Sequence, residues 1–433
     1  MTTLAKDRIK FLLLCFVYIC WTCIPNSINV RYSIELGNAR FQLSIIVGAI
    51  ILLVIIPLVN RRLFKDRRLS ILLVLFCFFS FLTSLAKLKG NSDLSLWETI
   101  DELLVFVLPI LFVKSVLSIQ NERYKQLFMY AMIVVGAVVA MQVFMLSLFG
   151  KWLGWQNSIV ESRGFTTIGA ATASADFVFM SFVVCYITAM KTKRKILFLF
   201  LALFLLSMIV MQTRSAILLT ALFLIYAILK EKLSTKLKLI ILGAVILIGI
   251  AVLYPSFLSN FISRVFVSNS DTFYSGIERK RLATVGLNVF FDNPLFGGGG
   301  GLILYRISRI TYAPYYIGNS HNQWVALLAE HGIIGVVLFL LIVFTFLRKT
   351  EWNKYSKLAV AAVLLMLLLG FFFETFITTD IRMTTTFWGL VLCMKHYSTA
   401  NESISRLRKQ NALRYGYHSF SYSKAMVNSR EAL

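Results

Sequence analysis

The chain has 433 residues, of which 58% are hydrophobic, and its formal net charge is +24. Runs of roughly 15 to 20 apolar residues recur along it, the length that an α-helix needs to cross the hydrocarbon core of a bilayer. This composition excludes an ordinary soluble globular protein and indicates an integral membrane protein.

Twelve candidate transmembrane spans follow one another along the chain. Their approximate limits are residues 11–26, 41–59, 70–86, 102–118, 127–149, 172–190, 196–212, 215–229, 238–255, 332–347, 358–373 and 383–394. The first span continues the polytopic pattern, and no small-residue cleavage site follows it, so we interpret it as a retained helix and not as a signal peptide. We predict an all-α polytopic membrane protein with about 12 transmembrane helices and one large, mostly helical extracytoplasmic loop.

This threading divides the chain into four segments. Residues 1–254 carry the first nine helices with short loops, 255–330 form the large extracytoplasmic loop, 331–395 carry the last three helices, and 396–433 form a basic cytoplasmic tail. The loop is the longest hydrophilic segment, and we expect it to be the working domain. The tail could bind the anionic inner leaflet or have no fixed structure.

The positive charge is distributed very unevenly across this topology. With both termini in the cytoplasm, the inner segments carry a net charge of +23 and the outer segments +1. This asymmetry is what the positive-inside rule predicts, so the charge reports topology and indicates no nucleic-acid partner. The absence of a Walker or dinucleotide-binding motif gives no support to chemistry driven by nucleotide hydrolysis.

The six cysteines fall in or beside apolar spans. Cys20 and Cys23 have metal or redox spacing, but no second Cys or His pair accompanies them, so we interpret them as packing residues.

The large outer loop has a readable order. The stretch TFYSGIERKRLATVGLNVFF has apolar residues at Leu282, Val285 and Val289, a spacing that predicts a helix, and the following DNP breaks it. The glycine run Gly297 to Gly301 comes next. It permits a close backbone approach or a hinge, its amides could hold an anion, or it is a flexible link back to the membrane.

Arginine dominates the basic residues of the outer face, ten of fourteen in this topology. Its planar and permanently charged fork grips phosphate oxygens at two points, so the outer face is suited to a phosphate-bearing ligand. Arg214 is flanked by apolar runs, and a lone arginine at membrane depth costs about 2.5 to 3.5 kcal/mol on insertion scales, so it either has a partner or extends to the headgroups. Arg279 and Arg281, in GIERKRLA, are further phosphate candidates, or members of a solvated charged face.

His321 stands at the outer surface, in SHNQWVALLAEHGIIG. We predict a helix that begins near His321, with Asn319 or Ser320 as its cap. The helix dipole and nearby arginines favour a neutral imidazole there, which can accept a proton from a hydroxyl, although water or headgroups could equally satisfy it. His331 could join Glu330 and His321 in a metal site only if the helix were broken, so we predict no metal.

These pieces together resemble the bacterial O-antigen ligases and the O-antigen or capsule repeat-unit polymerases. The matching motifs are MQTRSAILL at the start of a span, ERKRLATVGLNVFFDNPLFGGGG in the outer loop and SHNQWVALLAEHGIIGVVLF leading out of it. The resemblance implies an architecture similar to class C glycosyltransferases. It also implies a polyprenyl-diphosphate-linked sugar donor, no cofactor and no required metal.

The resemblance also implies roles for particular residues. The family's essential arginine at the start of a span corresponds to Arg214, its loop arginine to Arg279 and its loop histidine to His321, which makes His321 the expected base. Arg163 resembles a further outer-loop arginine. The remaining candidate substrate contacts are Arg281, Asn322, Glu374 and Arg382. Glu374 and Arg382 could orient sugar or lipid, or could simply pair with each other.

The expected activity is extracytoplasmic transfer of the lipid-linked oligosaccharide onto an acceptor sugar hydroxyl in the bacterial cytoplasmic (inner) membrane. The acceptor is a second lipid-linked repeat unit in a polymerase or a lipid A-core sugar in a ligase, and we favour the polymerase. Such polymerases commonly work beside a chain-length regulator. A transporter of the same lipid-linked sugars is an alternative, but it would have polar residues at the midplane of its spans and internal repeats, whereas the polar residues here cluster outside.

Overall fold

A computed structural model gives the architecture. It describes residues 3–24, 33–36, 39–58, 67–88, 96–149, 151–152, 155–156, 166–168, 171–211, 213–230, 270–300, 321–348, 352–377 and 379–398. Within these ranges the protein is a helical bundle with two short antiparallel hairpins.

The first half of the bundle comprises five helices and both hairpins. The helices are α1 (Thr3–Cys23), α2 (Leu43–Leu58), α3 (Arg67–Leu88), α4 (Leu96–Leu117) and α5 (Glu122–Phe149). The hairpins pair β1 (Ile34–Leu36) with β2 (Ala39–Phe41) and β3 (Lys151–Trp152) with β4 (Trp155–Gln156). The prediction of an all-α protein therefore holds for the bundle, while the connections also contain these minimal strand pairs.

The second half comprises seven further helices. They are α6 (Ala171–Thr192), α7 (Ile196–Met211), α8 (Arg214–Leu229), α9 (Ser270–Asp292), α10 (Gln323–Arg348), α11 (Lys354–Phe373) and α12 (residues 381–398). The last part of α11 contains a π-helical turn, Met366–Gly370. Its first turn has a capping box, in which the Asn353 side chain accepts from the backbone N–H of Ser356.

Helices coincide with each predicted span except 238–255, which lies outside the described residues. Five of them are long and apolar enough to cross a membrane: Arg67–Ala86, Glu122–Leu146, Ala171–Thr192, Gln323–Arg348 and Lys354–Phe373. The loop helix is also confirmed, because α9 covers the predicted stretch and ends at Asp292, directly before Asn293 and Pro294.

Helix α6 lies at the centre of the bundle. In its membrane-length window 89% of the residues are buried, and it packs against α5, α7, α8 and α11. Helices that face lipid leave one side exposed, whereas a helix buried on all sides can carry polar residues only where neighbouring helices satisfy them. The polar residues of α6 therefore belong to the interior of the protein and not to its lipid surface.

The end of α9 is joined to a break in α10. Gly332 has a φ of 63° and interrupts α10, and the freed backbone groups bond the segment Asn293–Gly300. The bonds are Gly298 N to Ala329 O (2.6 Å), Gly299 N to Glu330 O (3.0 Å), Ile333 N to Pro294 O (2.9 Å) and Ile334 N to Leu295 O (3.1 Å). We name this pairing of residues 293–300 with residues 329–334 the glycine interlock.

The glycine interlock decides between the alternatives for the glycine run. A Cβ on Gly297 would lie 2.5 Å from the backbone carbon of Glu330, and Gly297 and Gly299 have φ values of 76° and 87°. These positions need glycine for close approach and for the left-handed backbone. The amides of Gly298 and Gly299 are engaged by α10 carbonyls, so the described part of the run makes a close backbone approach, and these two amides hold no anion.

Candidate active site

His321 lies directly before α10. Its φ of 47° falls in the left-handed region, and the helix begins only at Gln323. The cap is Asn322, whose Oδ1 accepts from Val325 N at 3.1 Å. The prediction of a helix that begins near His321 is confirmed, since it starts at Gln323, but the cap is Asn322 in place of the expected Asn319 or Ser320.

Gln323 fastens the start of α10 to the loop that follows α11. This side chain is fully buried, and its Oε1 accepts hydrogen bonds from Phe376 N and Ile377 N, both at 2.7 Å. Trp324 adds a second link, since its Nε1 donates to Leu367 O at 2.9 Å. Hydrogen bonds from side chains at the start of α10 to the backbone before and after Glu374 therefore hold His321 close to Glu374.

The two side chains meet at this junction. His321 Nδ1 lies 3.5 Å from Glu374 Oε1, with side-chain exposures of 25% and 7%. This distance is long for a hydrogen bond, but such contacts in ligand-free active sites commonly shorten when substrate binds. One face of the imidazole is thus near a buried carboxylate while the side chain keeps access to solvent.

Asp176 joins the same neighbourhood from the central helix α6. It is fully buried and interacts electrostatically with both Glu374 and Arg279, and Ser215 at the start of α8 lies beside it. An acidic residue inside a buried membrane helix is costly unless a cation or hydrogen-bond donors offset its charge. Arg279, on the loop helix α9, is a cation that acts electrostatically on Asp176.

The predicted phosphate-binding arginines differ in their surroundings. Arg214 is the first residue of α8, with an exposed side chain and with Thr213 as an N-cap residue whose side chain makes no capping bond. Arg279 is half-buried near Asp176, whereas Arg281 is exposed. The structure therefore brings Arg279 towards the buried acidic pair, whereas the side chain of Arg281 is exposed.

Arg382 has a different partner from the one considered in the sequence. Its guanidinium makes a two-point contact with Asp380, Nε to Oδ1 at 2.9 Å and Nη2 to Oδ2 at 2.8 Å, and its Nη1 donates to Thr167 O at 2.8 Å. It does not pair with Glu374, because Asp380 is only two residues away and satisfies the fork geometry. Arg382 holds the 166–168 segment against the start of α12.

Arg163, a predicted substrate contact, falls in residues 157–165, which lie outside the described part of the chain.

Two residues of this neighbourhood were missed by sequence reasoning. Asp176 carried a usable signal, because it is an acid inside the apolar run ASADFVFMSFVVCYITAM. Gln323 carried none, since its two bonds join residues more than fifty positions apart.

The metal hypothesis needs a correction in its geometry. The break in α10 at Gly332 exists, but His331 does not approach His321; it forms a buried group with Glu330 and Glu102, each with one candidate ligand atom within 4.8 Å of the others. Among the described residues this is the only group with such an arrangement. His331 is ten residues after His321 in the sequence, which corresponds to roughly 15 Å along a helix.

The fold and the site define a polytopic membrane protein whose buried acidic residues, arginine and accessible histidine converge at helix ends. A family model described as O-Antigen ligase matches residues 196–340, which include Arg214, Arg279 and His321. The match covers about a third of the chain; it confirms the resemblance to the O-antigen ligase and polymerase superfamily and supports a role of the ligase or polymerase type. No curated protein matches the chain.

Proposed function

We propose that this protein polymerises O-antigen or capsule repeat units by moving a polyprenyl-diphosphate-linked oligosaccharide onto a hydroxyl of an acceptor sugar. The observation that carries the proposal is the pairing of His321 with the buried Glu374 beside Arg279 and Asp176. A base, an orienting carboxylate and a cation for an anionic leaving group are the parts that such a transfer requires.

His321 is proposed as the general base. Glu374 faces Nδ1, so a tautomer with the proton on Nδ1 is favoured and Nε2 is left to accept a proton. The partial exposure of His321 allows a water-soluble sugar to approach, while the junction through Gln323 limits motion of the ring. Positioning of this kind reduces the entropy lost on reaching the transition state.

Arg214 and Arg279 are proposed to bind the diphosphate. Both are permanently charged, and Arg214 stands at the N-terminus of α8, where the helix dipole also favours an anion. Arg279 lies within electrostatic range of the buried Asp176. Arg163, Arg281, Asn322 and Arg382 are retained as proposed substrate contacts of lower rank.

The step balances without a cofactor or a metal ion. The acceptor oxygen forms a bond to the anomeric carbon while its proton passes to His321 Nε2, and the bond from that carbon to the diphosphate oxygen breaks. The electron pair leaves with polyprenyl diphosphate, whose negative charge the two arginines stabilise. Attack from the face opposite the diphosphate inverts the anomeric centre, and His321 then returns its proton to solvent.

A ligase is the second candidate, because the matching family model carries that description. The chemistry at His321 would be the same, and only the acceptor would differ, being a lipid A-core sugar in place of a second lipid-linked repeat unit. The proposed setting for either activity is the bacterial inner membrane with both termini in the cytoplasm. A polymerase would work there beside a chain-length regulator.

The experiment is a polysaccharide gel from cells lacking the native gene. They are complemented with wild type, His321→Ala or His396→Ala at equal membrane levels. His396 is a matched control, because it is also a buried histidine that faces a carboxylate: its Nδ1 lies 3.2 Å from Glu122 Oε2. His396 lies on α12 and Glu122 at the start of α5, away from His321. We expect long chains with wild type and His396→Ala and their loss with His321→Ala.

The pattern of loss identifies the acceptor. A single repeat unit on lipid A-core supports a polymerase, whereas full-length chains that accumulate on the polyprenyl carrier support a ligase. Long chains with His321→Ala would overturn the assigned base. Failure of purified wild type to form a glycosidic bond in micelles would favour a transporter.

A further inference from the structure

A second polar group lies inside the protein, away from His321. Glu330 and His331 from α10 meet Glu102 from α4, and their exposures are 4%, 4% and 8%. One carboxylate oxygen of each glutamate and one imidazole nitrogen lie within 4.8 Å of one another. Glu98, one turn before Glu102, acts electrostatically on Glu330 and adds a third acidic residue to the neighbourhood.

Hydrogen bonding fixes the tautomer of His331. Ser80 Oγ donates its single proton to Phe76 O at 2.8 Å and lies 3.0 Å from His331 Nδ1. Because the hydroxyl proton is already used, Ser80 can only accept, so Nδ1 carries the hydrogen. Nε2 of the neutral ring is then the nitrogen with a free lone pair. Metal-binding histidines are typically oriented in this way, with the other ring nitrogen donating to a fixed acceptor.

Two atoms of the group lack a partner in the described part of the chain. They are His331 Nε2 and Glu330 Oε2, both buried. A buried acceptor without a donor loses its hydration and gains nothing in exchange, and here two such acceptors belong to neighbouring side chains. Packing alone does not explain this arrangement, whereas a bound cation would satisfy both atoms together.

The surrounding backbone holds the group in place. The glycine interlock bonds Glu330 O to Gly299 N at 3.0 Å, and Gly300 packs against the carboxylate of Glu102 so closely that a Cβ would lie 3.0 Å from its Cδ. Gly300 N and Thr99 Oγ1 both donate to Ser84 Oγ, at 3.3 and 2.7 Å. Three elements, α3, α4 and α10, therefore converge on the group with little freedom to rearrange.

We propose that Glu102, Glu330 and His331 bind one divalent transition-metal ion of the zinc class. Two carboxylate oxygens and one neutral imidazole nitrogen form a ligand set that suits zinc, while an all-oxygen set would suit magnesium or calcium. The ion would be structural, because it ties α4 to the break in α10 and takes no part in the transfer at His321. It goes beyond the proposed function and does not depend on it.

The test measures zinc binding by the purified full-length protein in detergent. After treatment with a chelator and removal of the chelator, zinc is titrated and the bound metal is quantified by mass spectrometry. We expect about one zinc ion per wild-type chain. The zinc affinity of His331→Ala and of Glu330→Gln should be at least about tenfold lower than that of wild type. His396→Ala is the control: it removes a buried histidine beside a glutamate elsewhere, and its zinc binding should equal that of wild type.

Thermal unfolding supplies a readout that is independent of transfer activity. Zinc should raise the unfolding midpoint of wild type and His396→Ala, but not that of His331→Ala or Glu330→Gln, since a ligand stabilises only the folded form that binds it. Wild type that binds no zinc, or variants that bind it as tightly as wild type, would overturn the proposal. Monodisperse elution of each variant on size exclusion establishes that it is folded.

Discussion

The two histidines near the start of α10 have contrasting environments. His321 precedes the helix, keeps a quarter of its side chain exposed and faces the carboxylate of Glu374 at 3.5 Å. His331 lies within α10 at 4% exposure, bonded to Ser80 and grouped with two glutamates. The residue types are the same, a histidine beside acid, but only the first is open to a substrate.

The contrast suggests how two kinds of site differ: a proton-transfer site leaves the histidine accessible to substrate, whereas an ion-binding site surrounds it with several possible ligands. A base must exchange protons with a substrate, so it needs one orienting partner and one free face. An ion site needs several convergent ligands and exclusion of water. The glycine interlock contains His331 in its segment 329–334, whereas His321 lies outside it, before the start of α10.

The largest expected effect comes from removal of the proposed base, His321. His321→Ala should lower the transfer rate by about 10² to 10⁴, because a positioned general base contributes that range. The measurement is glycosidic bond formation by purified protein with a lipid-linked donor. His331→Ala is the comparison: its rate per folded molecule should stay within a few-fold of wild type, and equal losses in both variants would erase the distinction between the histidines.

The second largest effect on the transfer rate is expected from removal of Arg279, the proposed cation for the leaving group. Arg279→Ala is expected to lower the transfer rate by about 10² to 10³, which is the usual effect of deleting one stabilising group for developing charge. Arg281→Ala, two positions on and exposed, should change it by less than about threefold. The same assay checks both, and a larger loss in Arg281→Ala would transfer the proposed phosphate contact to that residue.

The link between the two regions can be broken at Gly332. Gly332→Ala would place a methyl group on a φ of 63° and against the carbonyl oxygen of Leu295, so we expect a loss of roughly 2 to 5 kcal/mol. Thermal unfolding midpoints in detergent check it. Gly370→Ala is the matched control, since the nearest atoms are the flexible thioether end of Met366, at 2.9 and 3.0 Å, and its midpoint should fall much less.

The smallest effect is expected from the orienting carboxylate. Glu374→Gln retains the shape but removes the charge facing His321 Nδ1, and we expect the transfer rate to fall by roughly tenfold, a loss typical of imperfect positioning. The maximal rate should fall more than the substrate affinity, because the change acts through His321. A mutant with unchanged maximal rate would show that Glu374 does not orient the base.

Much of the bundle could be predicted because its signals are local. Apolar runs of membrane length became helices where the structure describes them, and the Asn293–Pro294 pair ended α9 as expected. The run of glycines allowed a close backbone approach as one of several alternatives, and the structure selects that alternative at Gly297. These features depend on residues close in sequence, so composition and spacing suffice to reveal them.

The candidate site was harder to predict from the sequence, because its contacts join residues that are far apart in the chain. His321, Arg214 and Arg279 were identified from motifs, but the proximity of Glu374 to His321 arises from packing of α10 against the loop after α11. Asp176 acts through tertiary contacts with Arg279 and Glu374. The Asp380 partner of Arg382 was overlooked although it lies two residues away. No periodicity in the sequence encodes which helices become neighbours.

The glycine interlock also sets the spacing of the molecule's working parts. Because the segment after α9 is bonded backbone to backbone with residues 329–334, the register of this pairing fixes the position of α9, which carries Arg279, relative to α10, which follows His321. Insertion of a single residue between Asn293 and Gly300 would shift that register and move the cation relative to the base. Apart from the glycines at 297, 299 and 332, which the backbone requires, the length of the interlock is therefore more constrained than its side chains.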